Sequence, residues 1–452
     1  MRKPFLIILA LTLCLSLASS CGKSEQKPDT QPKTDETPKA DAPAAEEPAA
    51  EEPAVEPEQP AEEPAAEEPA AEEPAAEEPA AEAAGSGFDG VEIPADGVIR
   101  TAAELGKVLT DGDLAGQYKV EASELDMSGI LYGSLGREDA PFTGSFDFGG
   151  CTLKNLYRPL FLYTSGAEIR NLKIADTKIV NEDEIPEDMI RWGLVVSDAT
   201  DTGITDVEIA DTVDLYVCIY TNDACVGGIV GHAAGNCEFV RLSSAAKVAT
   251  ESMKVFVSPL VGWFEGSGND TALMDSCVFT GTLDDTAVGN DSKVGGIAGT
   301  LGDATVVNCA NYGKITSTDG GQCAGVVGWA CGSGYYMENC LNAGAVDGGT
   351  FTGGVMGYSN RAAGEMVLCV NVGEVVGANP DNTGAIGGLI KNTETWSFCY
   401  WTEDNCAVGY NTTGNASITD FEACADTAAA MSAAAASGGE FTMDGDRVVI
   451  NP

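Results

Sequence analysis

Short apolar runs bounded by glycine recur along residues 295–374 with a period near thirty residues. Each run is followed, about ten residues later, by a row in which cysteine and asparagine hold fixed places. The runs are Gly295-Gly-Ile-Ala-Gly299, Ala324-Gly-Val-Val-Gly328 and Gly353-Gly-Val-Met-Gly357, and the rows are Asn308-Cys-Ala-Asn-Tyr-Gly-Lys-Ile315, Asn339-Cys-Leu-Asn-Ala-Gly-Ala-Val346 and Leu368-Cys-Val-Asn-Val-Gly-Glu-Val375. A unit this short cannot bury its apolar face alone, so neighbouring units must stack into a continuous core. The pattern predicts a repeat protein.

One cysteine marks the same place in five successive repeats. These are Cys277, Cys309, Cys340, Cys369 and Cys399, at spacings of 32, 31, 29 and 30 residues. An apolar residue stands three positions before each, namely Met274, Val306, Met337, Met366 and Trp396. Side chains of a flat strand alternate between its faces, so a spacing of three puts both on one face only if a bend or bulge falls between them. A bend at a fixed place in every repeat predicts an all-β chain wound into a parallel β-helix.

In such a coil the five cysteines point inward and stack about 4.8 Å apart, the spacing of neighbouring strands. That distance would permit disulfide bonds. A ladder of identical rungs does not favour a disulfide between any particular two cysteines, so we expect buried free thiols that act as small apolar side chains. A second ladder is expected at a corner, where side-chain amides bond the next rung; it consists of Asn311, Asn342 and Asn371. We expect both ladders to be structural.

The segment before the repeats contains signals for a short helix. Thr101 can cap a first turn while Glu104 bonds back to it, which predicts a helix through Leu109. We expect this helix to cover the open end of the first coils, so that residues 88–140 form an N-terminal cap region and residues 141–401 the β-helix.

The repeat stops after Trp401. An alanine-rich stretch, Ala428–Ala436, predicts a helix, and Val448–Ile450 predicts a strand. Residues 402–452 are therefore expected to cap the far end of the β-helix.

The chain begins with features of an export signal. Arg2 and Lys3 precede an apolar stretch that is too short to span a bilayer as a mature helix, so residues 1–20 are predicted to be a signal peptide. The run Leu17-Ala-Ser-Ser-Cys21 resembles a bacterial lipobox, in which the cysteine becomes an acylated N-terminus. The alternative is an ordinary signal peptide cut after Ser20, which would leave Cys21 free.

Residues 21–87 consist mostly of alanine, glutamate and proline, with 20 acidic and 4 basic residues between positions 22 and 87. Regular prolines prevent a helix, like charges repel, and there is nothing apolar to bury. We predict a disordered tether that reaches at most about 200 Å, at roughly 3 Å per residue. With a lipid on Cys21, it would hold the folded part off a bacterial cell membrane, facing outside the cell.

The glycine-bounded runs and the Asn-Cys-x-Asn-x-Gly-x-Val rows, with the block Phe142-Thr-Gly-Ser-Phe-Asp-Phe-Gly-Gly-Cys-Thr-Leu-Lys-Asn-Leu156, resemble bacterial surface proteins with GLUG motifs. The resemblance implies a right-handed parallel β-helix on an exported protein. Some of these proteins carry an immunoglobulin A peptidase elsewhere in the chain, a zinc enzyme with a His-Glu-x-x-His helix. Since this chain has one histidine, the resemblance implies the scaffold without that catalysis.

Charge and composition exclude several classes of function. The chain carries 70 acidic and 24 basic residues, a net charge of −46, so nucleic acid is excluded as a partner. The single histidine, His232, cannot supply a zinc site of two or more histidines. A Ser-His-Asp arrangement could use only His232, which we expect to lie in a surface turn. The acidic segment 181–188 is a candidate contact or calcium site; no other metal or cofactor is predicted.

The function that these features favour is a non-enzymatic surface lipoprotein, which would bind a glycan, a host protein or a neighbouring cell, or serve as a spacer. The alternative is a calcium-dependent, polysaccharide-cleaving β-helix enzyme of the lyase kind. Against the enzyme, the 18 basic residues from position 88 onward show no clustering on the repeat strands, and no acidic pair recurs at matched positions.

Overall fold

A computed structural model describes residues 86–181, 190–252, 254–267, 271–286, 291–318, 321–360, 363–391, 394–402, 410–411, 417–444 and 447–450. These residues form a parallel β-solenoid of about eight turns with two α-helices, which confirms the predicted all-β architecture. The predicted signal peptide, Cys21 and all but the last two residues of the tether lie outside the described residues, as does most of the acidic segment 181–188. No helix in the described part of the chain is long and apolar enough to cross a membrane.

Each full turn contributes strands to four sheets, which we number in the order in which the chain meets them from sheet 1. Within each sheet the strands pair in parallel, one turn on the next. Sheet 1 contains Val98–Ile99, Gln117–Val120, Glu124–Asp126, Ser145–Lys154, Glu168–Ala175, Gly203–Ile209, Glu238–Ser244, Leu273–Asp275, Val278–Phe279, Thr305–Val307, Ala310–Asn311, Gly334–Glu338, Leu341–Asn342, Ala363–Val367, Val370–Asn371, Thr395–Ser397, Tyr400–Thr402, Ser417–Thr419 and Glu422–Cys424.

The other three sheets have one strand per turn. Sheet 2 contains Lys178–Asn181, Asp214–Val217, Lys247–Thr250, Thr282–Asp285, Lys314–Ser317, Val346–Gly348 and Val375–Gly377. Sheet 3 contains Arg191–Gly193, Asn222–Gly227, Lys254–Ser258, Lys293–Gly295, Gln322–Ala324, Phe351–Gly353 and Thr383–Gly384. Sheet 4 contains Phe161–Ser165, Val196–Thr200, Val230–Gly235, Val261–Gly266, Ala298–Gly302, Val327–Cys331, Met356–Ser359, Gly387–Ile390 and Tyr410–Asn411.

The bend predicted before each ladder cysteine is present in sheet 1. The residue immediately before the cysteine has a left-handed backbone in all five repeats: Ser276, Asn308, Asn339, Leu368 and Phe398, with φ between 55° and 57°. It divides each strand in two, so that the side chains three residues apart both enter the core. Both members of the pair Met337 and Cys340, for example, are fully buried.

The predicted N-terminal helix, α1, spans Ala102–Asp111. Its capping box is formed: Thr101 Oγ1 accepts from the Glu104 amide at 3.2 Å, and the Glu104 carboxylate accepts from the Thr101 amide at 2.9 Å. Leu105, Val108 and Leu109 are buried in the core that continues into the first turns. Local capping chemistry and one apolar face are thus enough to define this helix.

The C-terminal segment also forms its predicted elements, but they cover a side of the solenoid, whereas we expected them to cap its far end. Helix α2 spans Thr427–Ala436 and is followed by an antiparallel hairpin of Phe441–Asp444 and Arg447–Ile450. Earlier in the chain there is a short 3-10 helix, Pro380–Asn382. The hydrophobic cluster that joins this segment to sheet 1 contains Ala310, Leu341, Val370, Tyr400, Cys424, Ala430, Met431, Ala434, Phe441 and Val448.

The reason for this placement is an apolar row on the outer side of sheet 1. Ala310, Leu341 and Val370 each follow a ladder cysteine, and adjacent residues of a strand point to opposite faces. An alanine-rich helix has small side chains and can approach such a row closely. The Glu440 amide also donates to Asn339 Oδ1 at 3.0 Å, which ties the segment to the solenoid.

Candidate functional site

The outer faces of sheets 3 and 4 meet in a concave groove. The glycine-bounded runs make the sharp bend between the two sheets, because a Cβ on Gly295 would collide with the Ala298 carbonyl. Side chains that point outward from the two sheets therefore lean against each other. We call this region the aromatic groove; its volume is about 560 Å³ and it is lined by Asp223, Lys254, Phe256, Trp263, Glu265, Asp291, Lys293, Gln322, Trp329, Cys331, Gly332, Tyr358 and Asn360.

Two rows of outward-facing residues form the walls, one residue per turn. In sheet 4 the strand pairing aligns His232, Trp263, Thr300, Trp329, Tyr358 and Leu389. In sheet 3 it aligns Arg191, Cys225, Phe256, Lys293, Gln322 and Phe351. Parallel pairing in register thus converts a repeat of thirty residues into two continuous lines of side chains.

Aromatic rings from the two rows pack across the groove. The ring centroids of Phe256 and Trp263 lie 4.9 Å apart, and those of Phe351 and Tyr358 also lie 4.9 Å apart. The ammonium group of Lys293 lies 5.3 Å from the centre of the Trp329 ring and 5.5 Å from that of Phe256, within the range of cation–π attraction. Trp263, Trp329, Phe351 and Tyr358 remain partly exposed, so their rings are accessible from solvent.

Two lysines and two aspartates of the groove neutralise one another. Lys293 Nζ lies 2.7 Å from Asp291, and Lys254 Nζ lies 3.0 Å from Asp223 and 3.2 Å from Asp291. Burial lowers the pKa of Lys293, whereas the hydrogen bond to Asp223 raises the pKa of Lys254. Burial alone would raise the pKa of Asp291, but the two ammonium groups lower it.

A histidine and an aspartate lie beside the aromatic rings, at one end of the groove. His232 Nδ1 is 3.0 Å from Asp198 Oδ1, and Arg191 forms an ion pair with the same carboxylate. The His232 ring meets the Trp263 ring edge to face, with centroids 5.3 Å apart. Burial opposes ionisation of Asp198, but the hydrogen bond to His232 and the charge of Arg191 lower its pKa below the ordinary value. An imidazole held this way can bind a polar ligand or transfer a proton.

The expectation that His232 lies in a surface turn is wrong. It belongs to the strand Val230–Gly235, and only 5% of it is exposed. The sequence contained a signal that our reasoning missed: the residue after the last glycine of each run belongs to the outward-facing row of sheet 4. That position holds His232, Trp263, Thr300, Trp329 and Tyr358.

The predicted ladder residues lie elsewhere, inside the solenoid. Cys277, Cys309, Cys340, Cys369 and Cys399 are all fully buried on successive turns, and no disulfide joins them in the described part of the chain. The rungs are held together by backbone bonds, as from the Leu341 amide to the Cys309 carbonyl at 2.9 Å. Burial raises the pKa of the Cys309, Cys340 and Cys369 thiols, which keeps them protonated.

The asparagines form a hydrogen-bonded row. Asn311 Nδ2 donates to Asn342 Oδ1, and Asn342 Nδ2 donates to Asn371 Oδ1, both at 2.7 Å. The row also packs against the glycine bend across the interior, because a Cβ on Gly325 would collide with Asn342 Oδ1. The two sequence motifs are therefore parts of one packing arrangement.

Calcium binding remains a prediction. Among the residues that the structure describes, no group of three or more His, Cys, Asp or Glu side chains could hold a metal ion. The segment 181–188, our candidate for such a site, lies almost wholly outside them.

No protein-family model matches the sequence, and no curated protein matches it. Among solved structures, the chain is similar to a candidate immunoglobulin A1 protease from Bacteroides ovatus. The two chains are 16% identical, with a TM-score of 0.38, over 78% of this chain and 91% of the other. A likeness this distant carries no argument about function, so the site has to be interpreted from its own geometry.

Proposed function

We propose that this protein is a non-enzymatic glycan-binding protein and that the aromatic groove is its binding site. The observation that carries the proposal is the line of partly exposed aromatic rings along sheet 4, with polar side chains beside them. A sugar ring has an apolar face of C–H groups and an edge of hydroxyls. An aromatic ring covers the first, and carboxylate, amide and indole N–H groups pair with the second.

The sequence features predicted at the N-terminus support an extracellular position for this binding site. A signal peptide, a lipid on Cys21 and a long acidic tether would hold the solenoid outside a bacterial cell, where glycans of a matrix, a host or a neighbouring cell are accessible. Labelling with palmitate tests this part: wild-type protein should incorporate it and partition with membranes, and Cys21→Ala should do neither. Membrane partitioning of Cys21→Ala would contradict the anchor.

A glycan array with the purified full chain tests the groove. We expect saturable binding that Trp329→Ala and Tyr358→Ala reduce at least tenfold, because each removes one stacking surface. Tyr336→Ala is the matched control, since Tyr336 is a partly exposed tyrosine on sheet 1. It should bind like the wild type. Glycan binding that is unaffected by both groove variants would place the site elsewhere.

A second candidate is a polysaccharide-cleaving enzyme, for which the calcium-dependent lyase of the sequence analysis is the specific form. The buried Asp198–His232 pair favours it, because a carboxylate that orients an imidazole is an arrangement used for proton transfer. Incubation with polysaccharides, with and without calcium, separates the two. New reducing or unsaturated ends that disappear in His232→Gln would establish the enzyme, whereas binding without product supports the binding protein.

A further inference from the structure

The spacing of the two tryptophans along sheet 4 restricts the shape of the ligand. Trp263 pairs with Thr300, and Thr300 pairs with Trp329, so the two indoles are separated by two turns. At about 4.8 Å per turn, the backbone positions of the two tryptophans are about 10 Å apart, which is close to the span of two sugar rings in an extended chain. The threonine between them is small. Every second sugar ring of such a chain would therefore stack on an indole, and the sugar ring between them would not.

The ends of the groove limit how much of a chain it can hold. On sheet 4 the lining begins at Trp263, because His232, one turn earlier, is only 5% exposed, and it extends to Tyr358, one turn after Trp329. From Trp263 to Tyr358 there are three turns, or about 14 Å, which corresponds to about three sugar rings. The groove follows the stacking direction of the strands, so an extended chain in it would run parallel to the solenoid axis.

The charges in the groove indicate a neutral ligand. Arg191, Lys254 and Lys293 are each paired with a carboxylate within the groove or at its end. Glu265 adds a negative charge on an exposed side chain, and the folded part of the chain is strongly acidic. An acidic chain would find no unpaired cation among these groups and would be repelled over a longer range.

Two polar atoms of the lining have no hydrogen-bond partner in the described structure. They are Gln322 Oε1 and Trp263 Nε1, and both are buried from solvent. Gln322 is only 6% exposed, and its amide nitrogen lies 3.5 Å from Asp291. Buried polar atoms are rarely left unpaired, and a small rotation of either side chain toward the groove on ligand binding would pair it with a sugar hydroxyl.

We infer that the aromatic groove binds an extended, neutral polysaccharide along the solenoid axis, with alternate rings stacked on Trp263 and Trp329. This inference rests on the proposed glycan-binding function and adds the chain class, its direction and its minimum length. A free monosaccharide, a branched glycan end or an acidic chain would not use both indoles.

Oligosaccharides of two, four and six rings, made of β-linked glucose, mannose or xylose, test the inference on the full chain by calorimetry. For at least one sugar, four rings should bind at least tenfold more tightly than two, and six no more than about twofold more tightly than four. Uronic acid oligosaccharides of four rings should bind at least tenfold more weakly than their neutral counterparts.

Trp263→Ala supplies the decisive variant. It should abolish the gain from two rings to four while leaving two-ring binding on Trp329 and Tyr358, and Trp263→Phe should retain most of the gain. Unfolding temperatures of both variants show whether the fold is kept.

The possible failures are distinct. An equal loss for two and four rings in Trp263→Ala, or tighter binding of the acidic chain, overturns this inference. Binding on the array that depends on Trp329 but not on chain length overturns the inference alone and leaves the proposed function standing. Absence of any glycan binding overturns both.

Discussion

The interior ladders and the aromatic groove come from the same repeat, but they differ in how much the residue changes from one turn to the next. Inside, the same position is cysteine in five successive repeats. In the groove, the position after the last glycine passes from His232 through Trp263, Thr300 and Trp329 to Tyr358. Stacking restricts the residues of the core to apolar or hydrogen-bonded side chains that fit the rungs above and below. The groove has no such requirement, so its residues are free to suit a ligand.

This contrast predicts that interior changes cost stability while groove changes cost binding. The largest effect is expected from Cys340→Asp, which buries a charge in the ladder with no partner. We expect a loss of about 4 kcal/mol or more, or failure to fold, measured by thermal or denaturant unfolding. Val376→Asp is the control, because Val376 is 48% exposed. In the preceding turn the equivalent outward position, with which Val376 pairs, is already an aspartate, Asp347. If Cys340→Asp melts like the wild type, the inward ladder is wrong.

A smaller loss is expected from Gly325→Ala. The added methyl group would collide with Asn342 Oδ1 and with the Gly354 carbonyl, so the asparagine row and the glycine bend must move apart. Overpacking of this kind costs about 1–3 kcal/mol. Gly203→Ala is a matched change on sheet 1, where the nearest atom would be 4.0 Å away, and should change stability by less than about 0.5 kcal/mol. Equal effects of the two substitutions would show that the two motifs are not packed together.

The pH dependence of stability should have opposite signs in the two regions. In the interior, burial raises the pKa of Glu394 despite hydrogen bonds from Ser359 and Tyr335, at 2.5 and 2.7 Å. A raised folded-state pKa gives stability that is fully present below the unfolded value of 4.5 and is lost as the pH rises through the folded value. Asp198, whose pKa is lowered, gives stability that is present above its unfolded value of 3.8 and is lost as the pH falls.

Glu394→Gln tests the pH dependence expected from the interior. The amide keeps the shape but cannot ionise, so the variant should melt at a higher temperature than the wild type at pH 7, with a smaller difference at pH 4. Asp198→Asn serves as the comparison, and its loss of stability relative to the wild type should be larger at neutral pH than at acidic pH. A Glu394→Gln variant that is less stable than the wild type at pH 7 would contradict a raised pKa.

The smallest effect is expected at the bends. Phe398 has a left-handed backbone, with φ of 55°, at a position that holds asparagine in two earlier repeats. Asparagine tolerates this conformation better, so Phe398→Asn should stabilise the protein by about 0.5–1 kcal/mol in denaturant unfolding. Ser397→Asn, one residue earlier in an extended strand, should give no gain. A loss on Phe398→Asn would mean that ring packing outweighs backbone strain.

Repetition explains what could be predicted from the sequence. The coil, its bend before each cysteine and the capping box at Thr101 are all local signals or signals repeated five times. The placement of α2 depends on an outward row, Ala310, Leu341 and Val370, that looks like ordinary strand alternation until the helix is seen against it. The groove was missed because its row varies, and a search for repetition discards variable positions.

The register of the solenoid also bears on how such a protein can change over generations. Every turn enters and leaves at equivalent points, so an in-frame loss of residues 300–328 would join Gly299 directly to Trp329 and keep every interior row continuous. The same deletion would bring Trp329 to the turn next to Trp263. A gene of this kind can therefore lengthen, shorten or re-space its outer surface by whole turns, through duplication or deletion, without having to evolve a new core.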